Sequence, residues 1–254
     1  MRQIRNQAAA VAAVAALGVL ASCSSDDQPA ESDSQAEIDP SATDGGSTMS
    51  TTPDPDYTIL GATYLVGPGR WALPAVGDPE APLAVIDVSS DYQGRDGYVW
   101  LDVDDGFGQV LYRAPTRVFV DPCDVDRPSR QLGPTVDDLA EALAEQRRTT
   151  TTPPVPATLG GYSGLYLELS SSEGVDFEAC GDGGEMVIFE AGPGDSGRIF
   201  DGPATERYWI LDIEGRRVVV SAFTTKGADS PFVKRVTEVA EAVAFVEEAP
   251  ASPK

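Results

Sequence analysis

One run of residues constrains the fold more than any other: Arg207 to Phe223, RYWILDI, then Glu214-Gly215, then RRVVVSAF. β-branched and aromatic residues fill both halves, and a tight Gly-containing turn lies between them. This is the pattern of an antiparallel β-hairpin. Side chains alternate across a strand, so Trp209, Leu211 and Ile213 share one face. Shorter runs of the same texture predict further strands at Leu83 to Val88, Tyr98 to Val103, Val110 to Arg113, Arg117 to Val120, Leu165 to Leu169 and Met186 to Phe189. Gly- and Asp-rich stretches, 91–97 and 104–108, separate several of them.

Two segments carry the helical period instead. From Thr135 to Arg147, the residues Val136, Leu139, Ala140 and Leu143 fall at helical spacing. Thr135 and Asp138 form a capping-box-like pair, and Asp137 and Asp138 suit the positive helix start. From Pro231 to Val246, a stripe of Phe232, Val236, Val239, Ala240, Val243 and Val246 predicts a closing helix, with Pro231 in its first turn. The intervening TTTTPPVP, 149–156, reads as an extended surface connection, with a hinge or a glycosylated stretch as alternatives. The expected architecture is α+β: a mainly antiparallel sheet with two packed amphipathic helices, in a single domain over 57–248 with a disordered tail at 249–254.

The N-terminus determines where such a domain works. Arg2 and Arg5 precede an apolar run from Ala8 to Leu20, 13 residues long. That length suits a signal-peptide core and falls short of the roughly 20 residues of a transmembrane helix. The run ends in Leu20-Ala21-Ser22-Cys23, which closely resembles the lipobox of bacterial lipoproteins. The resemblance implies cleavage before Cys23, a diacylglyceryl thioether on its thiol and acylation, such as palmitate, of the new N-terminus. Two acyl chains anchor stably where one binds marginally. The protein is therefore expected on the extracytoplasmic face of the cell membrane; an ordinary secretory signal is the alternative. The stretch 24–56 carries nine acids and no Lys or Arg among Ser, Thr, Pro and Gly. It is expected to be a disordered tether, spanning roughly 30 Å as a flexible coil.

Charge and missing residue types exclude several functions. The chain holds 18 Lys+Arg against 41 Asp+Glu, a net −23. Loss of Arg2 and Arg5 with the signal leaves 16 cations and a mature charge of −25. A polyanion is repelled by nucleic acid, so no nucleic-acid partner is expected. There is no histidine, which removes Ser-His-Asp and Cys-His catalysis and histidine zinc sites. Three cysteines are present. With Cys23 assigned to lipid, Cys123 and Cys180 read as one disulfide in an oxidising space; two buried free thiols are the alternative.

The remaining motifs are weak. Gly194-Asp195-Ser196-Gly197 resembles the surroundings of a serine nucleophile but lacks a general base, and reads as a turn. Asp102, Asp104 and Asp105 before Gly106 could offer oxygens to calcium, yet Gly106 and Arg113 stand where an EF-hand needs ligands. Asp121, Asp124 and Asp126 beside Cys123 are a fainter case. No metal, cofactor or catalytic residue is therefore assigned. Trp71, Trp100 and Trp209, with Tyr98, Tyr112 and Tyr208, are candidates for an apolar pocket, and more simply for core packing.

A broader resemblance rests on Asp121-Pro122-Cys123, on LGPTVDDL from Leu132, on Leu159-Gly160-Gly161-Tyr162, on Cys180 and on WILDIEGRRV from Trp209. Together these resemble a secreted or lipid-anchored actinobacterial domain of uncharacterised function, over residues 60–247. The layout is also similar to Mog1/PsbP-like lipoproteins, which implies a non-enzymatic antiparallel sheet flanked by helices and supports pairing of Cys123 with Cys180. The expectation is a non-catalytic binding or interaction module of the cell envelope, joined to the membrane through its lipid and recognising an envelope ligand or protein. The competing expectations are an envelope hydrolase using paired carboxylates such as Asp102 and Asp104, about 5–10 Å apart as in glycoside hydrolysis, and a calcium-stabilised spacer.

Overall fold

The computed structural model describes residues 56–60, 65–89, 91–95, 97–103, 106–124, 126, 129–181, 183–192, 195, 197–225 and 227–247. Cys23, the signal segment and the tether as far as residue 55 lie outside them, as do Asp104, Asp105, Gly194, Ser196 and the tail.

The predicted hairpin is the centre of the molecule. Its arms are β15 (Ala204–Ile213) and β16 (Arg216–Thr225), paired antiparallel from Ala204↔Thr225 to Ile213↔Arg216. Glu214 and Gly215 turn with φ of 54° and 82°, the left-handed pair of a type I′ hairpin. The Asp212 carboxylate accepts the Gly215 N–H at 2.7 Å. Outward from β15 lie β12 (Tyr162–Ser171) and, end to end along its far edge, β10 (Thr149–Thr151) and β11 (Val155–Leu159). Outward from β16 lie β7 (Gly106–Arg113), β6 (Tyr98–Val103), β5 (Gln93–Arg95) and β2 (Leu65–Val66). Every pairing in this sheet is antiparallel.

The sequence led us to expect one sheet; the structure has three. A second joins β1 (Thr58–Ile59), β3 (Gly69–Leu73), β4 (Leu83–Val88) and β17 (Ala244–Val246), with β1 parallel to β3. A third joins β14 (Arg198–Phe200), β13 (Met186–Glu190), β8 (Arg117–Phe119) and β9 (Ser129–Gln131). They pack on opposite faces of the central sheet. On one face Trp209, Leu211 and Ile213 join Val218, Val220, Ile86 and Leu73. On the other, Tyr208 and Ile210 join Val219, Phe223, Ile188 and Phe189. That is why the hairpin is apolar at nearly every position and not at every second one.

Each core takes one helix. Helix α1 (Val136–Ala144) buries Leu139, Ala140, Ala142 and Leu143 against the Tyr208 face. Its capping box forms as expected: the Thr135 hydroxyl accepts the Asp138 N–H, and the Asp138 carboxylate accepts the Thr135 N–H at 2.8 Å. Helix α2 (Ser230–Glu241) buries Phe232, Val236 and Ala240 against the Trp209 face. Its cap is Asp229, which accepts the Phe232 N–H at 2.7 Å.

Three local expectations are corrected. Helix α2 ends at Glu241, and Ala244–Val246 is a strand on β4, where Phe245 meets the rings of Tyr112 and Tyr162. Helix α1 ends at Ala144, short of Arg147, and Arg148 pairs with Asp121 at 2.8 Å. The TTTTPPVP run is extended and mostly exposed as expected but is more than a connection, because β10 and the start of β11 pair with β12. Its hydroxyls serve the fold: Thr149 donates to the Gln146 carbonyl, Thr150 meets Ser172 at 3.3 Å, and Thr152 accepts the Glu168 N–H at 2.9 Å.

Candidate functional site

The third sheet leaves part of the central sheet open. Helix α1 lies over β10, β12 and β15, and β14 stands beside β16. Beyond them, a cleft of about 750 Å³ opens over β7, β6 and β5. Its floor follows from strand alternation: Phe107, Gln109, Leu111 and Arg113 all sit at alternate positions of β7 and all line it. Sheet register sets Gln109 beside Phe223 of β16, and Leu111 beside Tyr98 of β6. The wall is Arg198 and Ile199 of β14, with Gly192, Asp195 and Gly197 from the preceding loop. Arg95 also lines the cleft, and Glu185 and Asp201 are exposed at it.

The inner wall is built on buried charge. Glu206, on β15, is 0% exposed. Its carboxylate accepts from Arg198 Nε at 2.7 Å, from the Tyr208 hydroxyl at 2.7 Å and from the Ser221 hydroxyl at 2.6 Å. The Arg198 guanidinium also lies 4.2 Å from the Phe223 ring centroid and donates to the Ile199 carbonyl. Desolvating a carboxylate and a guanidinium costs several kcal/mol per ion. Three hydrogen bonds to the charged group, each about 1.5–3 kcal/mol, offset much of that. Beside this cluster, Arg113 Nη1 donates to both oxygens of Asp195 at 3.0 and 2.9 Å, and Asp195 also accepts the Ala191 N–H. The Tyr208 phenol is held well above its ordinary pKa, first by burial and then by the Glu206 charge, with Arg198 and Arg113 opposing.

Two donors in this wall are not used. Arg198 Nη2 and Arg113 Nε are buried with no hydrogen-bond acceptor among the described residues. Guanidinium groups only donate, so what the wall lacks is acceptors.

The sequence candidates fall elsewhere. Cys123 and Cys180 are joined in a disulfide that ties the turn after β8 to the short helical turn before β13. The Gly181 N–H donates to the Cys123 carbonyl at 3.0 Å, and the Val187 N–H to the Pro122 carbonyl at 2.9 Å, so the clip is part of the third sheet's frame. Asp102 is exposed and does not line the cleft. Asp121 is committed to Arg148 and to the Cys123 N–H, and Asp126 is exposed. Of the GDSG residues, Asp195 holds Arg113, a packing role in place of a nucleophile's surroundings. Among the aromatic candidates only Tyr98 lines the cleft; Tyr112, Tyr208 and Trp209 are core residues, and Trp71 packs against the Trp209 face.

Sequence reasoning missed Arg113, Arg198, Glu206 and Gln109. A signal existed for two of them. Glu206 shares its face with Tyr208 and Ile210, and Arg113 shares its face with Phe107 and Leu111, so each places a charge on an apolar face. Arg198 stands in a short Gly-flanked strand with no such context.

No protein-family model matches the chain, and no curated protein matches it. The resemblance to an actinobacterial domain therefore has no family match behind it. Among solved structures, the chain is similar to LpqN, described as involved in cell envelope biogenesis of Mycobacterium tuberculosis. The identity is 13% and the TM-score 0.35, over 72% of this chain and 91% of that one. A likeness that slight carries neither fold nor function across. Among the described residues no helix is long and apolar enough to cross a membrane.

Proposed function

We propose that this chain is a lipid-anchored extracytoplasmic binding module, attached through Cys23, whose folded domain holds a small envelope-derived molecule in the cleft over β7. The observation that carries the reading is the cleft: about 750 Å³ of open volume, within the 300–1,000 Å³ of ligand pockets, on a sheet that carries a packed core on each face. Its lining mixes aromatic surface with polar side chains that are themselves held in place, the pattern of a preformed binding site. The lipobox and acidic tether support the location. Non-catalytic action fits the commitment of Asp195 to Arg113 and the lack of histidine.

The test is to purify the protein from native membranes and compare it with Gln109→Trp, which fills the cleft floor. Intact mass should show cleavage before Cys23 with a diacylglyceryl adduct. Solvent extraction of the wild type should release a small molecule that Gln109→Trp does not carry. An unlipidated chain, or identical extracts from both proteins, sinks the proposal.

A further inference from the structure

We infer that the ligand is an acidic amphiphile, a compact oxyanion joined to an apolar body, with the oxyanion held at Arg113 and Arg198. This rests on the cleft being the binding site. Three observations point to it. First, Arg198 and Arg113, 5% and 8% exposed, both line the cleft. Second, each keeps a buried N–H without an acceptor among the described residues: Nη2 of Arg198 and Nε of Arg113. The four other bonds these groups make, one to Glu206, one to the Ile199 carbonyl and two to Asp195, leave that capacity unspent. A ligand that brings oxygens, and no donors, completes the wall; charge-assisted N–H···O⁻ bonds are about twice as strong as neutral ones. Third, Phe107, Leu111, Phe223 and Tyr98 supply contiguous apolar surface beside the guanidinium groups. A bare oxyanion would leave that surface wet, and a bare hydrocarbon would bring no acceptor to the two unused N–H groups.

The polyanionic character of the chain does not oppose this. At physiological salt the field of the excess acids is screened over about 8 Å. Glu185 and Asp201 are both exposed, whereas Arg113 and Arg198 are buried at the wall. The β14 edge is also poorly suited to a competing occupant, an added peptide strand. The Val187 N–H turns away to Pro122, so the outward-facing groups of β14 are those of Ile199, and its carbonyl is already taken by Arg198.

The shared chemistry is an oxyanion, either a phosphate monoester or a carboxylate. Calorimetric titration of the full mature protein with octyl phosphate, octanoate, octanol and inorganic phosphate separates the sources. At least one octyl anion should bind tenfold or more tighter than octanol and than inorganic phosphate. The double variant Arg113→Gln/Asp195→Asn, which removes both charges of a pair, should lose most of the preference over octanol. Gln109→Trp, which leaves both arginines intact, should lose binding of every octyl compound. Octanol binding as tightly as both anions, or a preference unchanged in the double variant, overturns the inference. So does wild-type protein that retains an extracted envelope molecule yet binds neither octyl anion, a result that leaves the binding-module reading standing. Conversely, anion-selective binding with no molecule extracted from the native protein sinks that reading alone.

Discussion

Glu206 is the residue on which the interior is least able to compromise. It is a carboxylate without solvent access, and its charge is balanced by Arg198 and shared with two hydroxyls. Tyr208 is one of them, and it must stay protonated to donate. Burial first, then the Glu206 charge, raise its pKa in the folded state. A phenol whose folded pKa is raised contributes stability that is full below its unfolded pKa of about 10 and is lost as pH rises through the folded value. Tyr208→Phe should therefore be less stable than wild type at neutral pH by about 1.5–3 kcal/mol, the worth of a bond to a charged group. The gap should narrow above about pH 10, where ionisation of Tyr208 in the unfolded chain penalises the wild type and not the variant. Thermal melts of both proteins across the alkaline range test this; a gap independent of pH would mean that Tyr208 does not carry the effect. Gly164 shows the same intolerance in the backbone. A Cβ there would stand 1.9 Å from the Ile210 carbonyl oxygen, so only glycine lets β12 lie against β15.

Among the elements, the third sheet is the one that needs external support. Its four strands run three to five residues each. Two devices hold it. Gln146, buried past the end of α1, donates to the Phe119 and Ile188 carbonyls at 2.8 Å each and so ties β8 and β13 together. The Cys123–Cys180 disulfide closes a loop with a sequence separation of 57 residues. In the chain-entropy picture that loop contributes about 4 kcal/mol. Cys123→Ser/Cys180→Ser should lose up to that amount in urea unfolding and should weaken the cleft wall, since the strand that β14 pairs with is β13. A double variant within about 0.5 kcal/mol of wild type, the range of a neutral surface change, would show the clip to be dispensable. Helix α1 was legible to within a few residues because capping box, first-turn acids and apolar period agree in one stretch. Helix α2 was overextended, because Val243 and Val246 continue its period by chance while the chain turns into β17. Periodicity reports burial, and here burial outlives the helix.

At the scale of the molecule, a single sheet separates two cores. Leu211 belongs to one and Ile210 to the other, though they are neighbours in β15. The two cores share a backbone and so should melt together. Leu211→Ala and Ile210→Ala should each cost about 2–5 kcal/mol, and each should lower one common transition. Tryptophan fluorescence of a Trp100→Phe variant, which leaves Trp71 and Trp209 to report one core, should coincide with far-ultraviolet circular dichroism, which reports the whole sheet. Two separable transitions would show that the faces fold independently. The hairpin, most strands, both helix starts and the disulfide could be read from the chain, because each is a local pattern: a period, a cap, a tight turn or a pair of cysteines left over. Asp102 is exposed away from the cleft, and of the aromatic candidates Tyr98 alone lines it, since composition along a strand does not reveal which face is covered. What only the tertiary structure decided is the cleft. Arg198 lies 85 residues beyond Arg113 and 89 beyond Gln109, on a strand of a different sheet. Their meeting depends on where the third sheet stops short of β7. That is a matter of long-range pairing, in which the free energy of bringing strands together is set by packing across the whole sheet and leaves no mark on any short stretch of sequence.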